Sequence, residues 1–432
     1  MKTKICACFV ALFLILTLLP TDILAAKQKK KPQKNSKKSV PTSKVRYRSK
    51  QMRLRRVFVP IHGVLVQTLT GDTLLAQNAE TYFNPASVMK IATSITALET
   101  LGYDYRFNTE IYTNGQIDKD NILNGDLIIV GSGDPSLFYE NAFLIGENLS
   151  YLGIKKVTGN LLITNPFYLN FDASAQRSAQ ELKLIFNPTS WTKPITQAWT
   201  LYAKEQGKMD AVFQGLEIVG STQIISNAEI PTEKQLLLIH QSRNLLDILK
   251  MQNDYSNNFM AEVVGEKIGG PKVIEKFLIE KVKLNPNQLE VTSASGLGEN
   301  KMTPRATLEL LRYFYSSINK NGKNFDQLLP AAGVDEGTLD DRFTSTELQG
   351  SVVAKTGTLV RQKASALVGI AYTQEKGPLF FAILNKDNVL HARRYQDEII
   401  TNLIYENGGP VTVRNSLSRF ESTPNILINF NK

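Results

Sequence analysis

The chain has 432 residues, 42% of them apolar and 21% charged, with a formal net charge of +10. That is room for two or three domains and a substantial core, and it excludes a disordered chain, a collagen-like repeat and a small disulfide scaffold. The charge is unevenly placed. Residues 27–56 carry fourteen Lys or Arg and no acid, residues 1–26 a net of +1, and residues 57–432 therefore a net of −5.

Residues 1–26 have the layout of a secretory signal: Lys2 and Lys4, an apolar run of 15 from Ile5 to Leu19, Pro20, and small residues at Ala25 and Ala26. The run falls short of the roughly 20 residues of a spanning helix. Export to the periplasm or cell envelope is the expectation. The fourteen cations that follow oppose translocation, so an uncleaved anchor is the alternative. The only cysteines, Cys6 and Cys8, lie in that signal. The rest of the chain then has no disulfide, no cysteine-ligated zinc and no thiol nucleophile. His62, His240 and His391 are scattered and read as structural side chains, not metal ligands. Residues 27–56 read as a basic disordered tail, either a solvated linker or a tether to an anionic envelope polymer or membrane surface. Export argues against nucleic acid as its partner.

From Val57 the pattern is globular. Val57–Val59 and Gly63–Thr70 read as strands, with a Gly71–Asp72 turn marking a hairpin. Asn84 is a candidate N-cap and Pro85 suits the first helical position. The helix that follows reaches Leu101 and exits at Gly102. Val88, Ile91, Ala92, Ile95 and Leu98 give it one apolar face. Residues 106–239 read as an inserted β-rich domain, with strands at Phe107–Tyr112, Asp126–Val130, Gly159–Thr164, Ala211–Val219 and Gln235–Ile239 separated by long polar connections. It would divide the remaining globular part into residues 57–105 and 240–432. Helices are expected at 242–252, 256–268, 271–281 and 304–319, strands at Ser351–Ala354, Ala364–Tyr372 and Leu379–Asn385, and a final helix from Ala392 to Tyr405.

Three motifs stand out: Ser87-Val-Met-Lys90, Ser256-Asn-Asn258 and Lys355-Thr-Gly-Thr358. Each alone is weak, since Ser317-Ile-Asn-Lys320 also matches the first. Ser317 and Lys320, however, end a helix, where a lysine merely complements the dipole. Ser87 and Lys90 open one, share a face at i and i+3, and place the serine among free backbone N–H groups. A serine nucleophile needs a base, and a lysine serves if burial and a second cation lower its pKa. Lys355, on a strand after Val352-Val353-Ala354, is a candidate second cation, and Gly357 permits close approach there.

In this order the motifs resemble those of the serine penicillin-recognising enzymes, the D,D-peptidases and serine β-lactamases. Further stretches narrow the resemblance to the class C low-molecular-mass penicillin-binding proteins, the D-alanyl-D-alanine carboxypeptidase/endopeptidase family. These are Asn84–Lys90, Gly125–Leu137, Ser256–Glu262, Ser295–Leu297, Leu329–Gly333, Gly337–Leu339 and Ala354–Leu359. The 169 residues from Ser87 to Ser256 leave room for the family's insertion, although Gly159–Thr164 lacks an acidic residue often found there. The resemblance implies an α+β transpeptidase-like fold of helices and a flanked antiparallel sheet, with the site at their junction. It implies no metal or cofactor. It assigns Ser87 as nucleophile, Lys90 as its base and Ser256 as proton relay. Asn258, Lys355, Thr356 and Thr358 would hold the substrate, and the backbone N–H groups of Ser87 and Thr358 would form the oxyanion hole. The substrates would be peptidoglycan stem peptides, with β-lactams as inhibitors. A β-lactamase, or a non-catalytic envelope-binding protein held by the basic tail, are the other readings.

Gly131-Ser-Gly133 lacks the third glycine of a dinucleotide loop. Glu262, Asp340, Asp341 and Arg342 read as structural ion-pair or capping groups, and Gly296, Gly333 and Gly337 as turns.

Overall fold

The computed structural model describes residues 61–208, 210–414 and 420–429. The expected signal, the basic tail and the strand at Val57–Val59 lie outside the described residues. Residues Pro60–Lys432 form one compact unit.

The chain enters through β1 (His62–Gln67), turns at Gly71 and returns as β2 (Thr73–Gln77), so the expected hairpin is present. Asn84 accepts a hydrogen bond from the Ala86 N–H (2.9 Å) and sets up a single 3₁₀ turn, Ala86–Val88, that runs into α1 (Met89–Leu101). The helix ends at Gly102, whose φ of +93° suits glycine. The apolar face read from the sequence understates its burial, because every residue from Met89 to Leu98 is buried. Its hydroxyls are satisfied locally: Thr96 donates to Ala92 O (2.8 Å) and Thr93 to Ala294 O (2.6 Å). That makes a helix buried all round tolerable.

The next stretch builds a second sheet from β3 (Asn108–Thr113), β4 (Leu127–Val130), β5 (Leu161–Thr164), β6 (Thr222–Ile225) and β7 (Gln235–Gln241). Its strand order is β6-β5-β4-β3-β7, and β4, β5 and β6 run parallel. Parallel neighbours need crossovers of a dozen or more residues. The connections read as polar loops accordingly contain three helices, α2 (Tyr139–Tyr151), α3 (Ala175–Phe186) and α4 (Lys193–Glu205). Ala211–Val219, expected as a strand, keeps only Glu217–Ile218 in a minor sheet.

The rest supplies α5 (Leu245–Asp254), α6 (Asn258–Lys267), α7 (Pro271–Glu280) and α8 (Pro304–Lys320). It then supplies β8 (Val352–Leu359), β9 (Ala364–Thr373), β10 (Gly377–Lys386) and α9 (Val389–Glu406). The main sheet is antiparallel, in the order β8-β9-β10-β1-β2. Period-two alternation splits its side chains between two cores. Val353, Val368, Phe380 and Leu65 pack with α1 and α8, whereas Val352, Ala354, Phe381 and Val64 pack with Ile400 and Ile404 of α9. A last strand, β11 (Asn425–Ile428), pairs with β7 of the second sheet, so the chain's C-terminal part does not serve the main sheet alone.

Candidate active site

Strand β8 is the outer strand of the main sheet, and a segment from Pro330 to Ala332 covers part of its free edge. Ala332 N donates to Val352 O (2.8 Å) and Ala354 N to Pro330 O (3.1 Å). Among the described residues no backbone hydrogen bond covers that edge beyond Ala354. There Gly357 lies against the Ser87 turn so closely that a Cβ on it would sit 2.5 Å from Pro85 O. Glycine at this position is a steric requirement.

Lys90 brings the motifs together. It is fully buried, and its Nζ lies 3.1 Å from Ser87 Oγ, 2.7 Å from Asn258 Oδ1 and 2.7 Å from Ser295 O. Burial drives its pKa well below the ordinary lysine value; the nearby Lys355 pushes the same way, and Glu262 opposes. The second motif owes its spacing to a tight break between two helices. Ser256 follows the end of α5 in the left-handed region, with φ +53°. Asn257 caps α6, accepting from Met260 N (3.0 Å), and Asn258 as the first helical residue reaches Lys90. The expected helix 256–268 starts at Ser256; the observed one starts at Asn258, and Ser256 stands at the break before it, in a strained conformation of the kind found at working sites.

Lys355 is also fully buried, with Nζ donating to Thr356 O (3.0 Å). Burial lowers its pKa to about 7 against the attraction of Asp254. Asp254 in turn is raised to about 7 by burial. It shares Lys250 with Asp335, at 2.7 and 2.8 Å. Thr356 is nearly buried and Thr358 half-exposed at the open end of β8.

Two contributors escaped the sequence reading. Glu262, read as structural, accepts from Ser295 N (2.9 Å) and so holds the carbonyl that Lys90 uses. It stands four residues after Asn258 on the same face of α6, a spacing visible in the sequence. Ser295 acts through its backbone carbonyl, which no side-chain pattern reveals. Gly296 is more than a turn: a Cβ there would lie 1.9 Å from Ala86 O. Arg342 does play the structural part expected of it, buried in an ion pair with Asp397.

A buried, deprotonable lysine beside a helix-start serine, an asparagine from a second helix and a lysine-bearing edge strand define a serine D,D-peptidase of penicillin-binding-protein fold. The family model described as D-Ala-D-Ala carboxypeptidase 3 (S13) matches residues 56–190 and 193–403, and the chain belongs to that family. It is a serine-type D-Ala-D-Ala carboxypeptidase, a hydrolase. A carboxypeptidase of Mycobacterium tuberculosis is 26% identical over 382 residues, 79% of each chain. The D-alanyl-D-alanine carboxypeptidase DacB of Haemophilus influenzae is 23% identical over 69% of this chain and 80% of its own. Among solved structures, a predatory endopeptidase of Bdellovibrio bacteriovorus in complex with an immunity protein superposes with a TM-score of 0.71. It is 20% identical, covering 84% of this chain and 97% of that one.

Proposed function

We propose that the protein hydrolyses the terminal D-alanyl-D-alanine bond of peptidoglycan stem peptides, as an exported envelope enzyme, through an acyl-enzyme on Ser87. The observation that carries this is Lys90. Its two good acceptors, Asn258 Oδ1 and Ser295 O, satisfy both N–H groups of a neutral amine. The lone pair is left for the Ser87 hydroxyl at 3.1 Å. Ser87 Oγ attacks the carbonyl of the penultimate D-alanine as its proton passes to Lys90. The backbone N–H groups of Ser87 and Thr358 receive the oxyanion, worth about 3–4 kcal/mol of barrier per donor. The C–N bond breaks as Ser256 relays a proton to the leaving amine. Water then attacks the ester, its proton going to Lys90, and Ser87 is restored.

Asn258 Nδ2, with no hydrogen bond among the described residues, is free to hold the substrate amide. Lys355 supplies positive potential for the carboxylate. The same steps on a cross-linked D-alanyl bond give endopeptidase activity, the activity of the Bdellovibrio peptidoglycan endopeptidase. Penicillin G acylates that relative, which supports β-lactams as inhibitors here.

Intact mass of the purified chain after mixing with benzylpenicillin tests the assignment. A long-lived adduct on Ser87, absent in Ser87→Ala, is expected. Hydrolysed drug beside unmodified protein would make the enzyme a β-lactamase, and intact drug beside unmodified protein would leave the site inert.

A further inference from the structure

Arg393 belongs to none of the three motifs, yet its Nη2 lies 3.5 Å from Thr358 Oγ1. It is half-buried, in the second turn of α9. Among the described residues no carboxylate comes within ion-pair distance of it; Asp397, one turn on, is taken by Arg342. Arg342 in turn feels the positive charge of Arg393. A guanidinium beside a like charge and without an anion is an unfavourable arrangement until an anion arrives from elsewhere.

Its position is built. Gln396, fully buried, donates to Ser365 Oγ (3.1 Å) and Asn385 Oδ1 (2.7 Å) and accepts from Arg342 Nη2 (3.2 Å). Ser365 is the cross-strand partner of Thr358. Arg393 precedes Gln396 by three residues on the same face of α9, so the buried network sets it over the open end of β8. Alternation along β8 gives Lys355 and Gly357 to the α1 side and Thr356 and Thr358 to the α9 side. The two threonines and Arg393 therefore line one side of the open edge, and Lys355 approaches from the other.

We infer that Arg393 is a specificity-determining residue. With the Thr356 and Thr358 hydroxyls, its guanidinium binds the carboxylate adjoining the scissile amide, which in a free stem peptide is the chain terminus. The inference rests on the D-alanyl-D-alanine reading of the site. A planar guanidinium fork matches a carboxylate and has little to offer a neutral amide.

The test compares an N-acylated Lys-D-Ala-D-Ala acid with its C-terminal amide as substrates for the full chain, R393Q and R393K. In R393Q, kcat/KM for the acid should fall about 10- to 100-fold through KM, as for loss of a charged hydrogen bond. For the amide it should stay within about twofold. R393K, which keeps the charge and loses the fork, should recover part of the preference, and it carries the test should R393Q fail to fold. Equal loss on both substrates would make Arg393 structural, and an unchanged acid-to-amide ratio would also overturn the inference while leaving the D,D-peptidase intact. A wild-type enzyme that hydrolyses neither peptide and takes no penicillin would overturn the underlying reading, and this inference with it.

Discussion

Lys90 and Lys355 are both stripped of solvent, yet the proposed reaction asks opposite charges of them. Lys90 has to be neutral to take the Ser87 proton, and its pKa is held well below the usual lysine range. Lys355 has to be charged to draw a carboxylate, and its pKa is about 7. As pH rises, kcat/KM should therefore climb while Lys90 deprotonates and fall as Lys355 loses its proton near pH 7, with the basic limb of kcat lying higher because bound carboxylate stabilises the ammonium. Asp254 raises the Lys355 pKa, so Asp254→Asn should move the basic limb of kcat/KM to lower pH. A limb that stays put in that variant would remove Lys355 from the profile. Gly296 makes a second residue-scale prediction. Its φ is +90° and an added Cβ would strike the Ala86 carbonyl beside Ser87. Gly296→Ala should slow penicillin acylation about 100-fold, the effect of displacing a reacting group by an ångström; time-resolved mass measurement reads it. At this scale the meeting of Ser87, Asn258 and Lys355 around Lys90 was legible, because residue type and spacing carry it. Ser295 was not, because its contribution is a carbonyl. Arg393 was not, because only the packing of α9 on β9 brings it to Thr358.

The elements nearest the site were the most legible, and the reason is local. Asn84, Pro85 and Gly102 bracket α1, and uninterrupted apolar runs mark β9 and β10, each within a residue or two of the expected span. The helices of the second sheet were missed although α3 shows helical spacing at Ala175, Ser178, Ala179, Leu182, Ile185 and Phe186. Small and polar residues dilute its apolar stripe, and α2 and α4 hide theirs behind aromatics. Those aromatics form the stabilising cluster: Phe143 of α2 contacts Trp191, Trp199, Tyr202 and Phe213 with ring centroids 5.3–5.8 Å apart. Phe143→Ala should cost about 3–5 kcal/mol by leaving a cavity where four rings meet. The chain's two tryptophans both lie in this cluster. Denaturant unfolding followed by tryptophan fluorescence reads this layer directly, while acylation of Ser87 by mass reads the other. A wild-type midpoint in the variant would show that the cluster contributes little.

At the scale of the whole molecule, two sheets are tied at the far end of the chain: β11 completes the second sheet by pairing Leu238 with Ile428 and His240 with Ile426. A sequence reading by consecutive segments cannot see a strand of four residues returning to partners 184 to 190 positions earlier. What the sequence does show at this scale is charge. Residues 57–432 sum to −5 and residues 27–56 to +14. An acidic enzyme working on an anionic polymer is repelled from it, and each cation near an anionic surface contributes about 1 kcal/mol of attraction. The basic segment is therefore expected to supply surface binding and no chemistry. Deleting residues 27–56 should leave kcat/KM for a soluble blocked tripeptide within about twofold, since none of the three motifs falls within that segment. The same deletion should sharply reduce adsorption to vesicles containing about one-third anionic lipid or to isolated peptidoglycan bearing anionic polymer. The difference should shrink as salt rises toward about 1 M, where the screening length falls to about 3 Å. Equal adsorption of the full and shortened chains at low salt would refute the tether. A fall in turnover of the soluble peptide would instead place the basic segment in the enzyme's working state.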